Sequence, residues 1–460
     1  GCGTAILSCA LIEHLVEINP ELSFIELVAY ETDSQLCHLT LQCLNYLEGW
    51  LNDKGIQLNF SLHKEDFILD HSESLKNTNL FSQPIELFDI VISNPPYFKL
   101  PIDDKRAIAG KVVVNGHPNI YAIFMALGAR LLKEGGELIF ITPRSYASGG
   151  YFRAFREFFF PLIEIDQIHL FVSRKDTFSR DKVLQETVIL KGTRKDTVNP
   201  EKPVMITSSS GLRDLKESNK KVFPQKEIID LESNEKILYL PTNDAEEAVL
   251  AVFKDWTARL RDYGIQISTG PVVAFRAMDY IRESPENAPH AVAPLFWLHH
   301  VKQMTLEWPI GKLQKGQYIS IEGGSRALLL PNKNCVLLRR FSSKDDKNRL
   351  IAAPFFSDFT TSEFIGVENK VNYIYRPKGR LERNEVAGLC ALLNSSLFDA
   401  YFRIFNGNVN VSATELREMP MPPMETIREI GDAILLSNHF SAEQSNRIVR
   451  EYLEYAKAHG

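Results

Sequence analysis

The chain has 460 residues, of which 44% are hydrophobic and 24% charged, and its net charge is -6. These values are typical of a soluble protein of two or three domains, and they argue against a uniformly basic nucleic-acid coat. No apolar stretch approaches the roughly 20 residues of a membrane helix, and no secretory signal precedes the first motif, so we expect a cytoplasmic protein that does not span a membrane. The six cysteines lack paired spacing and are predicted to be reduced thiols without a metal.

The first hundred residues alternate helical patterns with short apolar runs, which is typical of a doubly wound α/β sheet. Gly1-Cys2-Gly3-Thr4-Ala5 leads into the first helix, and Asp33 is the predicted N-cap of the second. The predicted elements are a helix over 6–18, a strand over 24–30, a helix over 33–50, a strand over 56–60 that ends near Asp66-Phe67, and a strand over 88–93.

The alternation continues to about residue 191. We predict a helix over 120–132 that stops at Gly135-Gly136, a strand over 137–142, a helix over 151–160 and strands over 163–171 and 183–191. Because only a short connection separates the last two strands, they should pair as an antiparallel hairpin at the edge of the sheet.

A stiff turn follows the strand over 88–93. Its residues are Asn94-Pro95-Pro96-Tyr97, and two consecutive prolines forbid continuation of the strand. Asn94 is therefore expected at the carboxyl end of a buried strand, where open α/β sheets bind ligands. An amide oxygen, a prolyl carbonyl and an aromatic ring at this point would suit a planar NH2 group attached to a ring.

This turn resembles the catalytic tetrapeptide of amino-methyltransferases that use S-adenosylmethionine, which methylate adenine N6 in DNA or a glutamine amide in protein. The resemblance implies a Rossmann-like sheet ending in an antiparallel hairpin. It also implies that Asn94 and Pro95 accept hydrogen bonds from the target amine, and that Tyr97 stacks on an adenine flipped out of the duplex. Phe178 resembles a second aromatic residue that packs on the base in TaqI-type enzymes.

The resemblance extends to the cofactor. It implies that the glycine turn holds the methionine part of S-adenosylmethionine. It also implies that an acid after the second strand of the family's sheet binds the ribose hydroxyls, and that an Asp-Phe pair holds the adenine. The corresponding residues are Gly1, Gly3, Glu31, Asp66 and Phe67, with Ala5 where the family usually has a third glycine. The strand that should precede the glycine turn is missing from the chain. We therefore expect a fragment that binds cofactor weakly, or numbering that begins inside a longer protein.

A change to polar, less regular sequence places a domain boundary near residue 240, giving a catalytic domain over 1–240 and a mixed α+β target-recognition domain over 241–460. Between residues 301 and 350 we count ten Lys or Arg against four acids, a surplus that suits DNA phosphates. Arg339, Arg340, Asn408 and Asn410 are the predicted DNA contacts. The last two lie on a loop that resembles the end of target-recognition domains.

The sequence over residues 93–100, 116–121 and 131–146 most resembles that of the BsuBI/PstI-type subgroup. Its members methylate adenine within a palindromic six-base site of double-stranded DNA and accompany a matching restriction endonuclease. Three alternatives remain open. They are a protein glutamine methyltransferase, which is usually shorter, a DNA-binding module made inactive by the missing start, and a bifunctional restriction-modification chain, for which no nuclease motif is visible.

Overall fold

We describe a computed structural model of the chain over residues 1–75, 86–114, 116–171, 187–210, 214–215, 218–286, 290–311, 313–342, 346–406, 410–437 and 441–453. The chain divides into two compact units, residues 1–242 and 243–460. Each unit is described by itself.

The first unit alternates helices and strands. Its helices are α1 (Ile6–Ile18), α2 (Ser34–Asn52), α3 (Phe67–His71), α4 (Lys105–Ala109), α5 (Ile120–Arg130), α6 (Arg153–Phe159) and α7 (Gln225–Ile228). Its strands are β1 (Phe24–Tyr30), β2 (Gln57–His63), β3 (Phe88–Ser93), β4 (Leu132–Pro143), β5 (Ile163–Phe171), β6 (Thr187–Arg194), β7 (Pro203–Ser209) and β8 (Asn219–Pro224).

These strands form two sheets. Strands β1 and β2 pair in parallel, and the other six form a sheet in the order β3-β4-β6-β5-β7-β8. Strands β3 and β4 are parallel, whereas β6 runs antiparallel to both β4 and β5. Among the described residues, β1 pairs only with β2, and β3 pairs only with β4. The unit is therefore an α/β structure whose six-stranded sheet begins at β3.

The predicted antiparallel pairing of β5 with β6 is confirmed, but its predicted place at the sheet edge is wrong. Strand β7 adds parallel to β5, and β8 adds antiparallel to β7, within a stretch that we predicted to be irregular. Strand β8 carries Lys220 and Lys221 on an edge where charged side chains discourage further pairing. Such a polar edge strand lacks the alternating apolar pattern on which sequence prediction depends.

Several other boundaries differ from prediction. Helix α5 ends at Arg130, and Gly135 and Gly136 lie inside β4 rather than at a helix end. Gly135 has φ +81°, so this glycine pair allows an irregular start to the strand. Helix α6 begins at Arg153 after a short 3-10 turn, and β2 extends to His63.

The core of the first unit lies around α5. Residues 120–129 of this helix are all buried, and they join a cluster with the inner faces of β4, β5, β6 and β7. A second cluster packs α1 and α2 against β2. Burial on all sides explains why α5 is apolar around its whole circumference.

The second unit places its strands before most of its helices. A sheet of five strands has the order β10-β14-β11-β18-β15, one of four has the order β17-β16-β19-β9, and β12 pairs with β13. The strands are β9 (Gln266–Thr269), β10 (Ile281–Arg282), β11 (Val292–Phe296), β12 (Val301–Lys302), β13 (Thr305–Leu306), β14 (Tyr318–Ser320), β15 (Leu329–Pro331), β16 (Cys335–Arg339), β17 (Ala352–Phe355), β18 (Phe364–Val367) and β19 (Val371–Tyr375). The helices are α8 (Asp244–Lys254), α9 (Arg383–Asn394), α10 (Ser396–Phe405), α11 (Ala413–Glu418), α12 (Met424–Leu436) and α13 (Ala442–Leu453).

None of the helices within the described ranges is both long enough and apolar enough to cross a membrane. The same ranges contain no group of three or more His, Cys, Asp or Glu side chains that could hold a metal ion.

Candidate active site

The glycine turn at the start of the chain is held against the carboxyl end of β1. The Thr40 hydroxyl donates to the Gly3 carbonyl oxygen at 2.5 Å, and the Gly3 amide donates to Glu31 Oε2 at 2.9 Å. A Cβ atom added at Gly1 would lie 2.7 Å from the same Oε2. A side chain at position 1 would therefore displace the Glu31 carboxylate. The structure brings Gly1, Gly3 and Glu31 together, as the resemblance implied.

Glu31 is only 6% exposed, and its carboxylate is occupied by backbone donors. Oε1 accepts from the amides of Thr32 and Asp33 at 2.9 and 3.1 Å, while Oε2 accepts from Gly3. Since two carboxylate oxygens offer about four acceptor positions, Oε2 keeps one position for a further donor such as a hydroxyl group.

Ala5 adopts a backbone conformation that favours glycine. Its φ of 63° lies in the left-handed region, and it forms the N-cap of α1. This conformation costs a residue other than glycine about 1 kcal/mol. The structure thus gives a physical reason why a third glycine would suit this position.

The ends of β1 and β2 meet in an aromatic cluster. The Phe67 ring stacks on Phe124 with centroids 5.1 Å apart, and its edge contact with Tyr30 has centroids 5.4 Å apart. The Tyr30 hydroxyl donates to Asp70 Oδ2 at 2.6 Å. Burial, and then this bond to Asp70, raises the pKa of Tyr30. One face of Phe67 is therefore covered by protein.

Asp66 connects the cluster to the catalytic turn predicted from sequence. Its Oδ1 caps α3 by accepting from the amides of Ile68 and Leu69 at 2.9 and 3.2 Å, and its Oδ2 lies 3.8 Å from Arg106 Nη1. The Arg106 guanidinium also lies 5.7 Å from the centre of the Phe98 ring, which follows the turn. The ends of β2 and β3 therefore lie at one edge of the unit.

The turn leaves the sheet where β3 ends. Ser93 is the last residue of β3 and is in register with Phe140 of β4. Asn94 is exposed, whereas Pro95 is buried. The two prolines end the strand as predicted, because they carry no N–H to donate to the neighbouring strand. The Asn94 amide is accessible at the carboxyl end of β3.

Tyr97 returns toward the sheet instead of pointing away from it. Its hydroxyl oxygen lies 2.5 Å from Asn94 Oδ1 and 2.8 Å from the Ile141 carbonyl oxygen. Its ring meets Tyr121 edge-on with centroids 6.2 Å apart. Burial raises the pKa of the Tyr97 hydroxyl, which therefore stays protonated and can donate at neutral pH.

Two exposed aromatic residues beside the turn were missed in the sequence analysis. Phe98 is 45% exposed and Tyr151 is 68% exposed, and the Lys99 ammonium lies 6.0 Å from the centre of the Tyr151 ring. The sequence feature that could have identified this surface is the aromatic-basic pair Phe98-Lys99, directly after the tetrapeptide. We call Phe98, Lys99 and Tyr151 the aromatic rim.

The predicted DNA contacts are only partly described. Phe178 and Asn408 lie outside the described residues. Asn410 forms an isolated bridge with Phe341. Each of the two predicted arginines is hydrogen-bonded to a main-chain carbonyl, Arg339 through Nε at 2.7 Å and Arg340 through Nη1 at 3.1 Å. A guanidinium has five N–H donors, so both arginines keep donors for another acceptor.

The second unit gathers cations from separate strands and loops. Burial lowers the pKa of His299, and the charges of neighbouring cations lower it further. Burial raises the pKa of the Glu368 carboxyl group, and some of the same cations oppose that rise. We call these cations the basic group: Lys302, Lys315, Arg339, Arg340 and Lys370. Lys370 lies outside the basic stretch recognised in the sequence.

Arg349 shows that a charge count along the sequence overstates the surface charge. Its side chain is 1% exposed and donates to the Ser342 carbonyl and to Asn406 Oδ1, both at 2.7 Å. Asn406 in turn donates to Glu415 Oε2 at 2.9 Å. The expectation that the whole stretch suits phosphates is wrong for Arg349, which is a core residue that fixes the chain just before residue 407.

The chain is similar in sequence to known proteins. The family model described as Eco57I restriction-modification methylase matches residues 14–178. The type II methyltransferase M.PstI of Providencia stuartii is 30% identical over 462 residues, covering 99% of this chain and 87% of the relative. M.BsuBI of Bacillus subtilis, also a type II methyltransferase, is 31% identical over 437 residues, covering 95% of this chain and 84% of the relative.

Proposed function

This chain belongs to the type II restriction-modification methyltransferases, and on that premise we propose that it methylates the exocyclic N6 nitrogen of an adenine flipped out of duplex DNA. The methyl donor is S-adenosylmethionine. The observation that carries the adenine proposal is the accessible Asn94 amide on a proline-stiffened turn at the carboxyl end of β3, at the same edge of the unit as Asp66 at the end of β2. Family membership favours DNA over a protein glutamine as the substrate.

The residues at the strand ends fit the cofactor. S-adenosylmethionine supplies a methyl group activated by a positively charged sulfur. Glu31 keeps one acceptor position for a ribose hydroxyl, and Asp66 Oδ2, which is not used in the helix cap, can accept from the adenine amino group. Gly1 and Gly3 would hold the methionine part, and Phe67 would pack on the adenine ring.

Catalysis follows from positioning rather than from a strong base. The lone pair of an adenine amino nitrogen is delocalised into the ring. Hydrogen bonds from its two protons to Asn94 Oδ1 and the Pro95 carbonyl oxygen would favour a more tetrahedral nitrogen and free the lone pair for attack. The stiff turn keeps both acceptors in place, so fixed dipoles lower the barrier. The second proton can leave after the methyl group has arrived.

Base flipping requires a surface that replaces the lost stacking. Tyr97, and by resemblance Phe178, would contact the flipped adenine. The aromatic rim beside the turn has two exposed rings and a cation, a combination typical of surfaces that bind unstacked nucleic acid. We infer that the aromatic rim contacts the DNA strand next to the flipped adenine.

The second unit would supply target recognition. We propose that the basic group contacts DNA phosphates, since phosphate contacts give most of the affinity and fix the register on the duplex. Asn410 and, by resemblance, Asn408 would lie near the bases. A matching restriction endonuclease and a cytoplasmic, nucleoid-associated location follow as expectations from the restriction-modification context.

The test of the proposed function is the identity of the methylated base. The chain is incubated with S-adenosylmethionine and genomic DNA that lacks methylation, and the nucleosides are separated by mass. N6-methyl-2′-deoxyadenosine supports the proposal, whereas N4-methyl-2′-deoxycytidine, or methyl transfer to protein glutamine with none to DNA, would contradict it.

Removing the surface lysines of the basic group should weaken DNA binding and its salt dependence. For the triple variant Lys302→Ala, Lys315→Ala and Lys370→Ala, the slope of log K against log salt should decrease by up to about 0.9 per lost phosphate contact. Fluorescence anisotropy at several salt concentrations measures this slope.

The control carries the same charge change elsewhere. Lys133, Lys191 and Lys195 form ion pairs near the amino end of β4, opposite the catalytic turn. Their replacement by alanine should leave the slope close to that of the parent. Equal slopes for the two triple variants would rule out the basic group as the phosphate site.

Glu31→Gln should reduce cofactor affinity about tenfold or more, because a neutral amide has one acceptor oxygen where three backbone N–H groups need partners. Equilibrium dialysis with labelled S-adenosylmethionine measures this loss. The control Glu26→Gln changes an exposed acid on the same strand and should have no effect. Unchanged affinity in Glu31→Gln would contradict the ribose assignment.

A further inference from the structure

The Tyr97 hydroxyl stands between two oxygen atoms but has one proton. It lies 2.5 Å from Asn94 Oδ1 and 2.8 Å from the Ile141 carbonyl oxygen. A tyrosine hydroxyl donates one hydrogen bond and can accept others. If both neighbours are acceptors, one short contact between oxygens has no proton and is repulsive.

Turning the Asn94 amide by 180° resolves the conflict. The amide nitrogen then faces Tyr97 and, once the exposed Asn94 side chain moves back to the usual N–H···O distance of about 2.9 Å, donates to the hydroxyl oxygen, while the hydroxyl proton goes to the Ile141 carbonyl. Amide oxygen and nitrogen occupy nearly the same space, so the hydrogen-bond partners decide which way the group points. In this arrangement each short contact has its own proton, and Asn94 Oδ1 is left free for another donor.

The Ile141 carbonyl is a fixed reference for this network. The β3–β4 pairing ends at Ser93 and Phe140, one residue before Ile141. Because Pro95 and Pro96 have no N–H, this part of the turn offers no backbone donor to β4. The Tyr97 hydroxyl takes that role, and burial keeps it protonated.

We propose that Tyr97 is a positioning residue whose hydroxyl, bonded to the Ile141 carbonyl, orients the Asn94 amide so that its oxygen faces the target amine. This role is separate from stacking by the Tyr97 ring, and it rests on the proposed amino-methyltransferase function. It explains why the turn folds its tyrosine hydroxyl back onto the sheet while the ring stays in edge contact with Tyr121.

Tyr97→Phe keeps the ring and removes only the hydroxyl. The single-turnover rate of methyl transfer should fall about tenfold, the effect of losing one hydrogen bond that orients a reacting group. The dissociation constants for DNA and S-adenosylmethionine should stay within about twofold of the parent values, because the contacts of the ring remain. Tyr121→Phe removes another buried hydroxyl of the same core, bonded to Ser145 at 2.6 Å, and serves as the control for packing.

A second background separates orientation from packing. In an Asn94→Asp background both terminal atoms of the side chain are oxygens, so its two orientations are equivalent and neither places a nitrogen toward the target amine. Adding Tyr97→Phe to that background should lower the rate by less than about threefold, and the two substitutions should be non-additive. The double variant is compared with Asn94→Asp, and Tyr97→Phe alone is compared with the parent enzyme.

The outcomes distinguish the two proposals. An equal loss of rate on removing the hydroxyl in both backgrounds would overturn the positioning role, as would an equal loss in the Tyr121→Phe control. If the parent enzyme forms N6-methyladenine, the proposed function stands whichever of these results the variants give. A parent that forms no N6-methyladenine removes the proposed function itself.

Discussion

Asn94→Ala should lower the rate of methyl transfer by a factor of about 1000 or more, a size typical of the loss of a preorganised polar group at a reacting centre. The variant removes the acceptor that would favour a tetrahedral amine nitrogen, and alanine offers no substitute. Asn94 is exposed and its side chain contacts Tyr97, so we expect little change in stability. Transfer of a tritiated methyl group from S-adenosylmethionine to DNA measures the rate.

The same variant provides its own control for binding. In the proposed site, cofactor affinity would depend on the residues at the ends of β1 and β2, and DNA affinity would depend mainly on phosphate contacts elsewhere. Both dissociation constants should therefore stay within about threefold of the parent values. Undiminished turnover by Asn94→Ala would remove the proposed mechanism. A matching loss of cofactor and DNA binding would show that the turn is structural.

Gly431→Ala should destabilise the second unit by about 3 kcal/mol, near the upper end of the usual cost of overpacking. Helix α12 crosses α9 at contact distance. A Cβ at Gly431 would overlap the Asn384 carbonyl oxygen, and a Cβ at Gly388 would overlap the Ile427 carbonyl oxygen. Backbone atoms cannot move aside as a flexible side chain can. The helices would have to separate, and the loss shows as a lower unfolding midpoint of the second unit in thermal or urea titrations.

A helical glycine elsewhere gives a control with the opposite sign. Gly49 lies in α2, and an added Cβ there would meet no atom within 4 Å. Gly49→Ala should therefore stabilise the protein by up to about 1 kcal/mol through helix propensity. A stabilising effect of Gly431→Ala as well would show that α9 and α12 do not touch in solution.

Local chemistry made many elements predictable. Asp33 was predicted to cap α2, and its carboxylate accepts from the amides of Gln35 and Leu36 at 2.8 and 3.0 Å. The predicted limits of α1, β1, β3 and β5 agree with the structure, because an apolar period bounded by turn residues specifies such elements within a few residues. Strands β7 and β8 escaped prediction because their sequences are partly polar and lack a regular apolar alternation.

The pattern along the chain by itself determined the α/β class of the first half, the position of the proline turn at the end of β3 and the family to which the chain belongs. These properties depend on residues adjacent in sequence. Only the tertiary structure decided that Tyr97 reaches the Ile141 carbonyl, that Lys370 joins the basic group and that Arg349 is withdrawn into the core. Such contacts join residues far apart in the chain, where burial and packing rather than local pattern determine which groups meet.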